Sequence, residues 1–183
     1  MSPVVAGEPY LTTDNSLSDA RQHALLLCNK FNALPLAESA QRALLLSDLF
    51  AKAKGVQVAS SLRVEYGINT HLGKGTFLNH HVCIIDACPV HIGNQVLIGP
   101  NTVISTVVGR FTPGPSQPQE TALPVTLGHR VWVGANVYIS AGVTIGDNCV
   151  IGAGSVVTQS LPANALAYGH PAKVIRKIQQ NPQ

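Results

Sequence analysis

Apolar and small residues recur with a period of six along residues 125–158. The first place of each group of six is aliphatic and is filled by Leu127, Val133, Ile139, Ile145, Ile151 and Val157. The second place is small throughout, and the fifth is small or β-branched. A period of six matches neither the period of about 3.6 residues of an α-helix nor the two-residue alternation of one long strand. It indicates short strands joined by corners, with the first and fifth places pointing inward.

One such group cannot bury its own apolar side, so successive groups must stack on one another. The pattern therefore predicts a mainly β fold, a parallel β-helix of hexapeptide repeats. The repeat begins near Val56, is clear from Leu72, and shifts its frame around Pro89. It stops at residues 110–124, which contain four prolines and no apolar period. We predict that this segment is a loop protruding from the coil, and loops that interrupt a regular scaffold are frequently functional.

The segments on either side of the repeat have different patterns. Residues 18–33 and 37–54 carry apolar side chains at helical spacing and are predicted to be amphipathic helices. Two helices beside a β-helix are suited to covering its open end. The sequence thus predicts an N-terminal helical cap over 1–55, the β-helix over 56–160, and a C-terminal turn and short basic helix over 161–183.

Composition narrows the class of protein. Apolar residues make up 45% of the chain and charged residues only 11%, as expected for a coil of small and apolar residues. The net charge of +3 is too small to indicate nucleic-acid binding. No apolar run is long enough to cross a membrane, and no secretory signal is recognisable. The four cysteines have neither zinc-finger spacing nor the density of a disulfide scaffold, so we expect a cytoplasmic protein.

Several short motifs follow one another in a characteristic order along the chain. They are Gly7-Glu8-Pro9-Tyr10, Glu65-Tyr66-Gly67-Ile68-Asn69, Asn79, Ile85-Asp86, Cys88-Pro89, Pro124-Val125-Thr126, Val131-Trp132-Val133-Gly134 and Gly169-His170-Pro171-Ala172. With the two helices and the hexads, this order resembles the maltose, galactoside and nodulation-type O-acetyltransferases over nearly the whole chain. The resemblance implies a left-handed coil, a homotrimer with active sites between neighbouring subunits, and acetyl-CoA as co-substrate. It implies acetyl transfer to a hydroxyl of a sugar or other small molecule.

The resemblance also implies which residues bind the coenzyme. The coenzyme slot of the family falls on Ala135, Ala153, Thr158 and Lys173. Small side chains at the coil edge would admit the pantetheine arm, and the Lys173 ammonium would pair with a phosphate. Trp132 lies beside this slot in the sequence pattern, and it is either a platform for the ligand or a solvent-exposed or interface residue.

The acceptor side of the site is implied in the same way. In the family, the residue at Asn79 points into the cleft between subunits, toward the acceptor and the thioester. Asp86, Tyr66 and Asp14 are the acceptor-binding candidates. Asp86 would hold a hydroxyl or orient an imidazole, and the alternative is that it is only a polar corner residue.

The general base of the family has no counterpart in this chain. Transfer from a thioester to a hydroxyl needs a group that takes the hydroxyl proton, and in the family this is a histidine at the end of the coil preceding the protruding loop. That position falls on Gly109, or on Arg110 if the alignment slips by one residue. Neither side chain takes a proton near neutral pH.

Three interpretations of this departure stay open. In the first, His80 or His81 replaces the base; both follow Asn79 at corner places of their hexad, and the alternative is that they are exposed corner residues. In the second, the protein is a catalytically altered relative that binds CoA or a small ligand, or performs other chemistry in a biosynthetic pathway. In the third, acetyl transfer proceeds by proximity and orientation alone.

The chain contains seven histidines, which raises the question of a metal site. His71, His80, His81, His91 and His129 do not reproduce the spacing of a three-histidine site. Most of them occupy corner places of the hexads, where a surface position explains them. We therefore expect no metal cofactor.

Overall fold

The computed structural model of the protein describes residues 4–109 and 119–179. It contains the helices α1 (Asn15–Ala33) and α2 (Ser39–Leu49). The strands, in chain order, are Tyr10–Leu11 (β1), Gln57–Val58 (β2), Arg63–Val64 (β3), Thr70–Leu72 (β4), Phe77–Leu78 (β5), Cys83–Ile85 (β6), Val90–Ile92 (β7), Leu97–Ile98 (β8), Val103–Ser105 (β9), Val107–Gly109 (β10), Gln119–Ala122 (β11), Val125–Leu127 (β12), Trp132–Val133 (β13), Tyr138–Ile139 (β14), Thr144–Ile145 (β15), Val150–Ile151 (β16), Val156–Val157 (β17), Ala165–Gly169 (β18) and Ala172–Lys177 (β19).

The body of the protein is a three-sided coil, and each side is a sheet of parallel strands from successive turns. Face 1 contains β2, β5, β8, β13 and β16, face 2 contains β3, β6, β9, β14 and β17, and face 3 contains β4, β7, β12 and β15. The chain passes from face 1 to face 2 to face 3 in each turn. Leu78, Ile98 and Val133, for example, are paired on three successive turns of face 1. The predicted hexapeptide β-helix is confirmed.

Aliphatic side chains at the first place of the hexads fill the interior of the coil. Leu127, Val133, Ile139, Ile145, Ile151 and Val157 are each at most 1% exposed. Each lies directly below or above an equivalent residue of the next turn, so one continuous apolar column runs along the axis. The column supplies the burial that a single turn lacks, which is why the turns stack.

Left-handed backbone conformations mark the corner between faces 1 and 2, here named corner 1–2. One residue in each turn adopts a positive φ there: Ser61, His81, Asn101, Asn136 and Gly154. Glycine and asparagine tolerate this conformation better than most residues, which accounts for their frequency in the hexads. His81, with a φ of 58°, occupies one of these corner positions.

The helical cap is confirmed, with changed boundaries. Helix α1 begins earlier than predicted because the Asp14 carboxylate accepts a hydrogen bond from Ser16 N at 2.8 Å and caps the helix. Helix α2 ends at Leu49, before the predicted end, because Lys52 already pairs with His71 at the edge of face 3. Within the described residues, neither helix has the length and apolar character needed to cross a membrane.

A buried arginine joins the cap to the coil. The Arg42 guanidinium donates hydrogen bonds to the carbonyl oxygens of Phe31 at 3.2 Å and Val58 at 3.0 Å. It also lies over the Phe31 ring, 4.0 Å from the ring centroid. Helices α1 and α2 and the first turn of the coil therefore share one buried cation, whose hydrogen bonds are all made to backbone carbonyl groups.

The segment predicted as a protruding loop, residues 110–124, contains a strand. Residues 110–118 lie outside the described residues. Gln119–Ala122 (β11) pairs antiparallel with Val107–Gly109 (β10), and β1 pairs antiparallel with the other edge of β11. The chain thus leaves the coil between β9 and β12 as a two-stranded arm, defined here as β10 and β11, and residues 119–122 of the predicted loop form a strand.

The predicted C-terminal helix is wrong. Residues 165–169 form β18, which pairs in parallel with β16 and extends face 1. The chain then reverses, and Ala172–Lys177 (β19) pairs antiparallel with β18. Two physical reasons favour strands here: the edge of β16 offers unpaired backbone groups, and the β-branched Val174 and Ile175 favour an extended backbone.

Candidate active site

The arm and the N-terminal strand form a small antiparallel sheet in the order β1–β11–β10. Glu120, on the central strand, pairs with Tyr10 on one side and with Gly109 on the other. Residues directly opposite each other on antiparallel strands project to the same side of a sheet. The Tyr10 hydroxyl donates a hydrogen bond of 2.7 Å to Glu120 Oε2, which fixes the orientation of this half-buried carboxylate.

Beneath this sheet lies the corner where faces 2 and 3 meet, here named corner 2–3. A small apolar cluster of Leu17, Tyr66, Ala87, Cys88 and Ala122 packs the arm against α1 and the coil. Arg21 of α1 donates hydrogen bonds to Tyr66 Oη and to the carbonyl oxygen of Thr12, both at 2.8 Å. Helix α1 therefore holds both the corner and the N-terminal segment in place.

The ionisable groups of this region have shifted pKa values. Burial raises the pKa of Tyr10, and the hydrogen bond to Glu120 raises it further. Burial likewise raises the pKa of Glu65, against the opposing effect of Arg21. The pKa of Tyr66 is raised by burial and by the nearby Glu65 carboxylate. Groups with perturbed pKa values cluster at functional sites more often than elsewhere, and here they surround the base of the arm.

Gly109 ends β10 and faces open space. A Cβ atom built on this residue would meet no atom of the described residues within 4 Å. The position that the resemblance assigns to the general base thus carries no side chain.

Asp86 is placed at corner 2–3, fully buried. Its carboxylate accepts hydrogen bonds from Tyr66 N at 2.9 Å, Gly67 N at 3.2 Å and Thr70 Oγ1 at 2.8 Å. Burial raises the pKa of Asp86, and these hydrogen bonds oppose the shift. The side chain therefore holds the turn from face 2 to face 3, directly below the arm, and it has no exposed surface in one protomer.

The structure places the other acceptor-side candidates apart from one another. Tyr66 is buried, with its hydroxyl at Arg21, whereas Asp14 is exposed and caps α1. Hydrogen bonds from Ser16 lower the pKa of Asp14. Their predicted roles in binding an acceptor stay predictions.

Asn79, His80 and His81 lie at corner 1–2, not at the corner that carries the arm. Both histidines are exposed, and Asn79 Oδ1 accepts a hydrogen bond from His80 N at 2.8 Å. The His80 carbonyl in turn accepts from Asn101 N on the next turn. Within one protomer these residues and Gly109 occupy different edges of the coil. That His80 or His81 acts as the base stays a prediction.

Two predicted coenzyme-binding residues, Ala135 and Ala153, stack on successive turns of corner 1–2, where the Ala135 carbonyl accepts from Gly154 N at 2.8 Å. Lys173 is exposed on β19, opposite Tyr168. Thr158 is exposed directly after β17 on face 2. Trp132 is 58% exposed on face 1. Ala153 is exposed and Ala135 is partly exposed in one protomer, and the predicted roles of these residues in binding the coenzyme stay predictions.

The histidines outside these groups form no metal site. His71 and His91 are paired on face 3, with ring centroids 4.8 Å apart. Burial lowers the pKa of His71, and the neighbouring His91 and Lys52 lower it further. His129 Nδ1 accepts a hydrogen bond from Asn94 N. In residues 4–109 and 119–179, no group of three His, Cys, Asp or Glu side chains is arranged to hold a metal ion.

Sequence analysis did not identify the Tyr10–Glu120 pair. Tyr10 belongs to one of the quoted motifs, but Glu120 lies in the stretch that has no periodicity. The signal that would have found it is the antiparallel register between residues far apart in the chain, which local patterns do not contain.

Comparison with families of known proteins identifies the class. The model described as bacterial transferase hexapeptide matches residues 124–159, and the maltose acetyltransferase hexapeptide capping motif matches residues 4–55. The hexapeptide repeat of succinyl-transferase matches residues 89–110. Coil, cap and matches together define a hexapeptide-repeat transferase.

Individual relatives identify the family within this class. A galactoside O-acetyltransferase of Escherichia coli is 36% identical, over 94% of this chain and 86% of its own. The crystal structure of a maltose O-acetyltransferase from Clostridium difficile has a TM-score of 0.91 and 37% identity, over 95% of this chain and 94% of that chain. A galactoside acetyltransferase in complex with coenzyme A has a TM-score of 0.86 and 34% identity, over 94% and 88% of the two chains. The chain belongs to the family of maltose and galactoside O-acetyltransferases, and its coil is a left-handed β-helix.

Proposed function

We propose that the protein transfers the acetyl group of acetyl-CoA to a hydroxyl of a sugar or another small molecule. The observation that carries the proposal is the match, over 94% of this chain, to the fold of a galactoside acetyltransferase that was solved with coenzyme A. In the reaction, the acceptor oxygen forms a bond with the carbonyl carbon and the carbon–sulfur bond breaks. The hydroxyl proton ends on the released thiol.

The coenzyme would lie along corner 1–2. Ala135 and Ala153 are small enough to let the pantetheine arm approach the backbone of the coil, whose amide groups would hydrogen-bond to it. Lys173, exposed near the end of face 1, would bind a phosphate of the coenzyme. Thr158 and Trp132 would border the slot. Asn79, at the same corner, would face the thioester.

We further propose a homotrimer in the cytoplasm. Exposed apolar side chains gather on face 1 and its C-terminal extension, namely Leu97, Trp132, Tyr168, Val174 and Ile175. A patch of this kind is suited to contact with another copy of the chain. The free state of Cys28, Cys83, Cys88 and Cys149 supports a reducing compartment.

A second candidate follows from Gly109. Because the position of the family's base has no side chain, the protein would bind CoA or a small ligand without transferring an acetyl group. This candidate predicts binding and no turnover.

Incubation of the purified protein with acetyl-CoA and a panel of galactosides, maltose and other small alcohols separates the two candidates. We expect acceptor-dependent release of free thiol, together with an acceptor whose mass has increased by one acetyl group. Tight binding of CoA with no thiol release for any acceptor would contradict the proposal and support the second candidate.

Replacing Lys173 with alanine is expected to raise the KM for acetyl-CoA about fivefold and to leave kcat unchanged. The magnitude is that of one exposed charge-assisted contact, and the unchanged kcat follows because a distant phosphate contact contributes equally to the ground state and the transition state. Lys30→Ala on α1 is the matched control, since Lys30 is exposed and lies in the last turn of that helix. Equal KM values for the two variants would contradict the placement of the phosphate.

A further inference from the structure

Three residues form a row across the small sheet at the base of the arm. Tyr10, Glu120 and Gly109 are cross-strand partners on β1, β11 and β10. Their side chains project to the same side of the sheet, so the Glu120 carboxylate lies on the side toward which a residue at position 109 would point. Gly109 has no side chain, and a Cβ atom there would meet no atom of residues 4–109 and 119–179 within 4 Å.

One oxygen of the Glu120 carboxylate is held and the other is available. Oε2 accepts the 2.7 Å hydrogen bond from the Tyr10 hydroxyl. Within the described residues, Oε1 has no hydrogen-bond partner. The carboxylate thus has one oxygen held by Tyr10 and one to which no described residue donates, and a carboxylate oxygen of this kind accepts from a hydroxyl donor.

Tyr10 is a donor in this pair rather than a base. Burial and the hydrogen bond to Glu120 raise the pKa of Tyr10 above its ordinary value, so its hydroxyl keeps its proton at neutral pH. Arg21, the other polar side chain that supports this region, donates to Tyr66 and Thr12 and carries a permanent charge. Of the row, Glu120 alone has a side chain that takes a proton.

We propose that Glu120 is the general base of acetyl transfer and that Tyr10 positions it. The inference rests on the proposed function. The Glu120 carboxylate takes the proton of the acceptor hydroxyl as the hydroxyl oxygen attacks the thioester carbonyl carbon. The carbon–sulfur bond then breaks, and the protonated Glu120 gives its proton to the leaving thiolate. The products are the acetyl ester and free CoA, and the carboxylate is regenerated.

With Glu120 as the base, the active site stays at the base of the arm although position 109 is a glycine. The arm still brings a proton acceptor to the place that the resemblance assigns to the base, but it does so from β11 instead of β10. His80 and His81 lie at corner 1–2, the same edge as the proposed coenzyme slot at Ala135 and Ala153. The coenzyme and the arm therefore meet only where a neighbouring subunit of the proposed trimer brings the two edges together, and the hypothesis of a histidine base needs the same contact.

Glu120→Gln tests the role of the carboxylate. Glutamine keeps the size of the side chain and an oxygen that accepts from Tyr10, but it takes no proton. We expect kcat to fall about 100-fold or more, the usual contribution of a general base, with an unchanged KM for acetyl-CoA and an unchanged unfolding midpoint. Glu38→Gln, on an exposed glutamate that makes no side-chain cap hydrogen bond, is the matched control and should keep the wild-type kcat.

A rescue experiment distinguishes a base from a structural carboxylate. In the double variant Gly109→His and Glu120→Gln, an imidazole is added at the cross-strand partner of residue 120, and we expect at least a tenfold recovery of kcat relative to Glu120→Gln. Tyr10→Phe should lower kcat by a smaller factor than Glu120→Gln, because it leaves the carboxylate present but unheld.

The outcomes separate this inference from the function on which it rests. Absence of thiol release by the wild type for every acceptor would overturn both. Wild-type turnover with an equal kcat for Glu120→Gln would overturn the inference and leave the function standing. Loss of turnover on replacing His80 and His81 with alanine, with Glu120→Gln active, would overturn it in favour of the histidines.

Discussion

The Gly93→Ala substitution is expected to lower the free energy of unfolding by about 3 kcal/mol, which is the upper end of the usual range for overpacking. An added Cβ would stand 2.5 Å from the carbonyl oxygen of Gly128 and 2.8 Å from His129 N, both backbone atoms of the next turn. These atoms cannot rotate away as a flexible side chain would. The neighbouring strands β7 and β12 are also tied by the ladder, since Gly93 N donates to the Leu127 carbonyl at 2.9 Å. The turns must therefore separate locally and lose both packing and hydrogen bonds.

Urea unfolding at a fixed protomer concentration measures the effect. Gly109→Ala is the matched control, because the same methyl group at that position meets no atom of the described part of the chain within 4 Å. We expect the control to change the free energy of unfolding by less than about 1 kcal/mol. A similar loss in both variants would show that the small second place of the hexads does not serve close stacking.

A second large effect is expected for Asp86→Ala, which should lower the free energy of unfolding by about 3–5 kcal/mol. The substitution removes the acceptor of Tyr66 N, Gly67 N and Thr70 Oγ1, all at corner 2–3. A buried donor left without a partner costs about 1–3 kcal/mol. Because Gly67 adopts a positive φ and a Cβ there would lie 2.2 Å from the Leu49 carbonyl oxygen, the turn has little freedom to find other partners.

Asp86→Asn separates the hydrogen bonds from the charge. Its amide oxygen would accept from the two backbone donors, and its amide nitrogen would donate to Thr70 Oγ1, so we expect a free energy of unfolding near that of the wild type. Thermal or urea unfolding measures the free energy of unfolding of Asp86→Asn and Asp86→Ala. Equal destabilisation by Asn and Ala would mean that the negative charge itself, rather than the acceptor atoms, holds the corner.

The pH dependence of the Asn variant gives an independent check. Burial raises the pKa of Asp86 above the ordinary value of 3.8, so the folded state binds this proton more tightly than the unfolded state. The associated stabilisation is fully present below the unfolded pKa and is lost as the pH rises through the folded pKa. The wild type should therefore lose stability relative to Asp86→Asn as the pH is raised from about 4.

The coil could be predicted from the sequence because its determinant is local and repeated. Each turn needs an aliphatic residue inside, a small residue where turns touch and a residue that tolerates a left-handed corner. Ile139, Gly134 and Asn136 meet these needs within one short stretch. The same requirement returns in every turn, so the period identifies the fold without any knowledge of long-range contacts.

The ends of the repeat were harder to predict because their structure depends on partners elsewhere in the chain. The stretch that contains Val174 and Ile175 is amphipathic enough to suggest a helix, yet the free edge of β16 recruits β18, and β19 follows it. The strand at 119–122 likewise depends on β10 and β1. Tertiary pairing overrides local pattern in both places.

The candidate site also depends on residues that are far apart in the chain, so local sequence patterns predict it only in part. The resemblance to the family assigns the position of the general base to Gly109, because matching the neighbouring motifs is enough for that assignment. It does not indicate that Glu120 is the cross-strand partner of Gly109, nor that Tyr10 pairs with the other side of Glu120. His81, the other candidate, has a φ of 58° and is one corner residue in a stack; that it acts as the base stays a prediction.

A crystal structure of the protein with CoA and an accepted sugar bound tests the central claim most directly. The account predicts a pantetheine arm along Ala135 and Ala153, and an acceptor hydroxyl within hydrogen-bond distance of Glu120 Oε1, in the space in front of Gly109. An acceptor hydroxyl bonded instead to His80 or His81, with Glu120 far from both ligands, would contradict it.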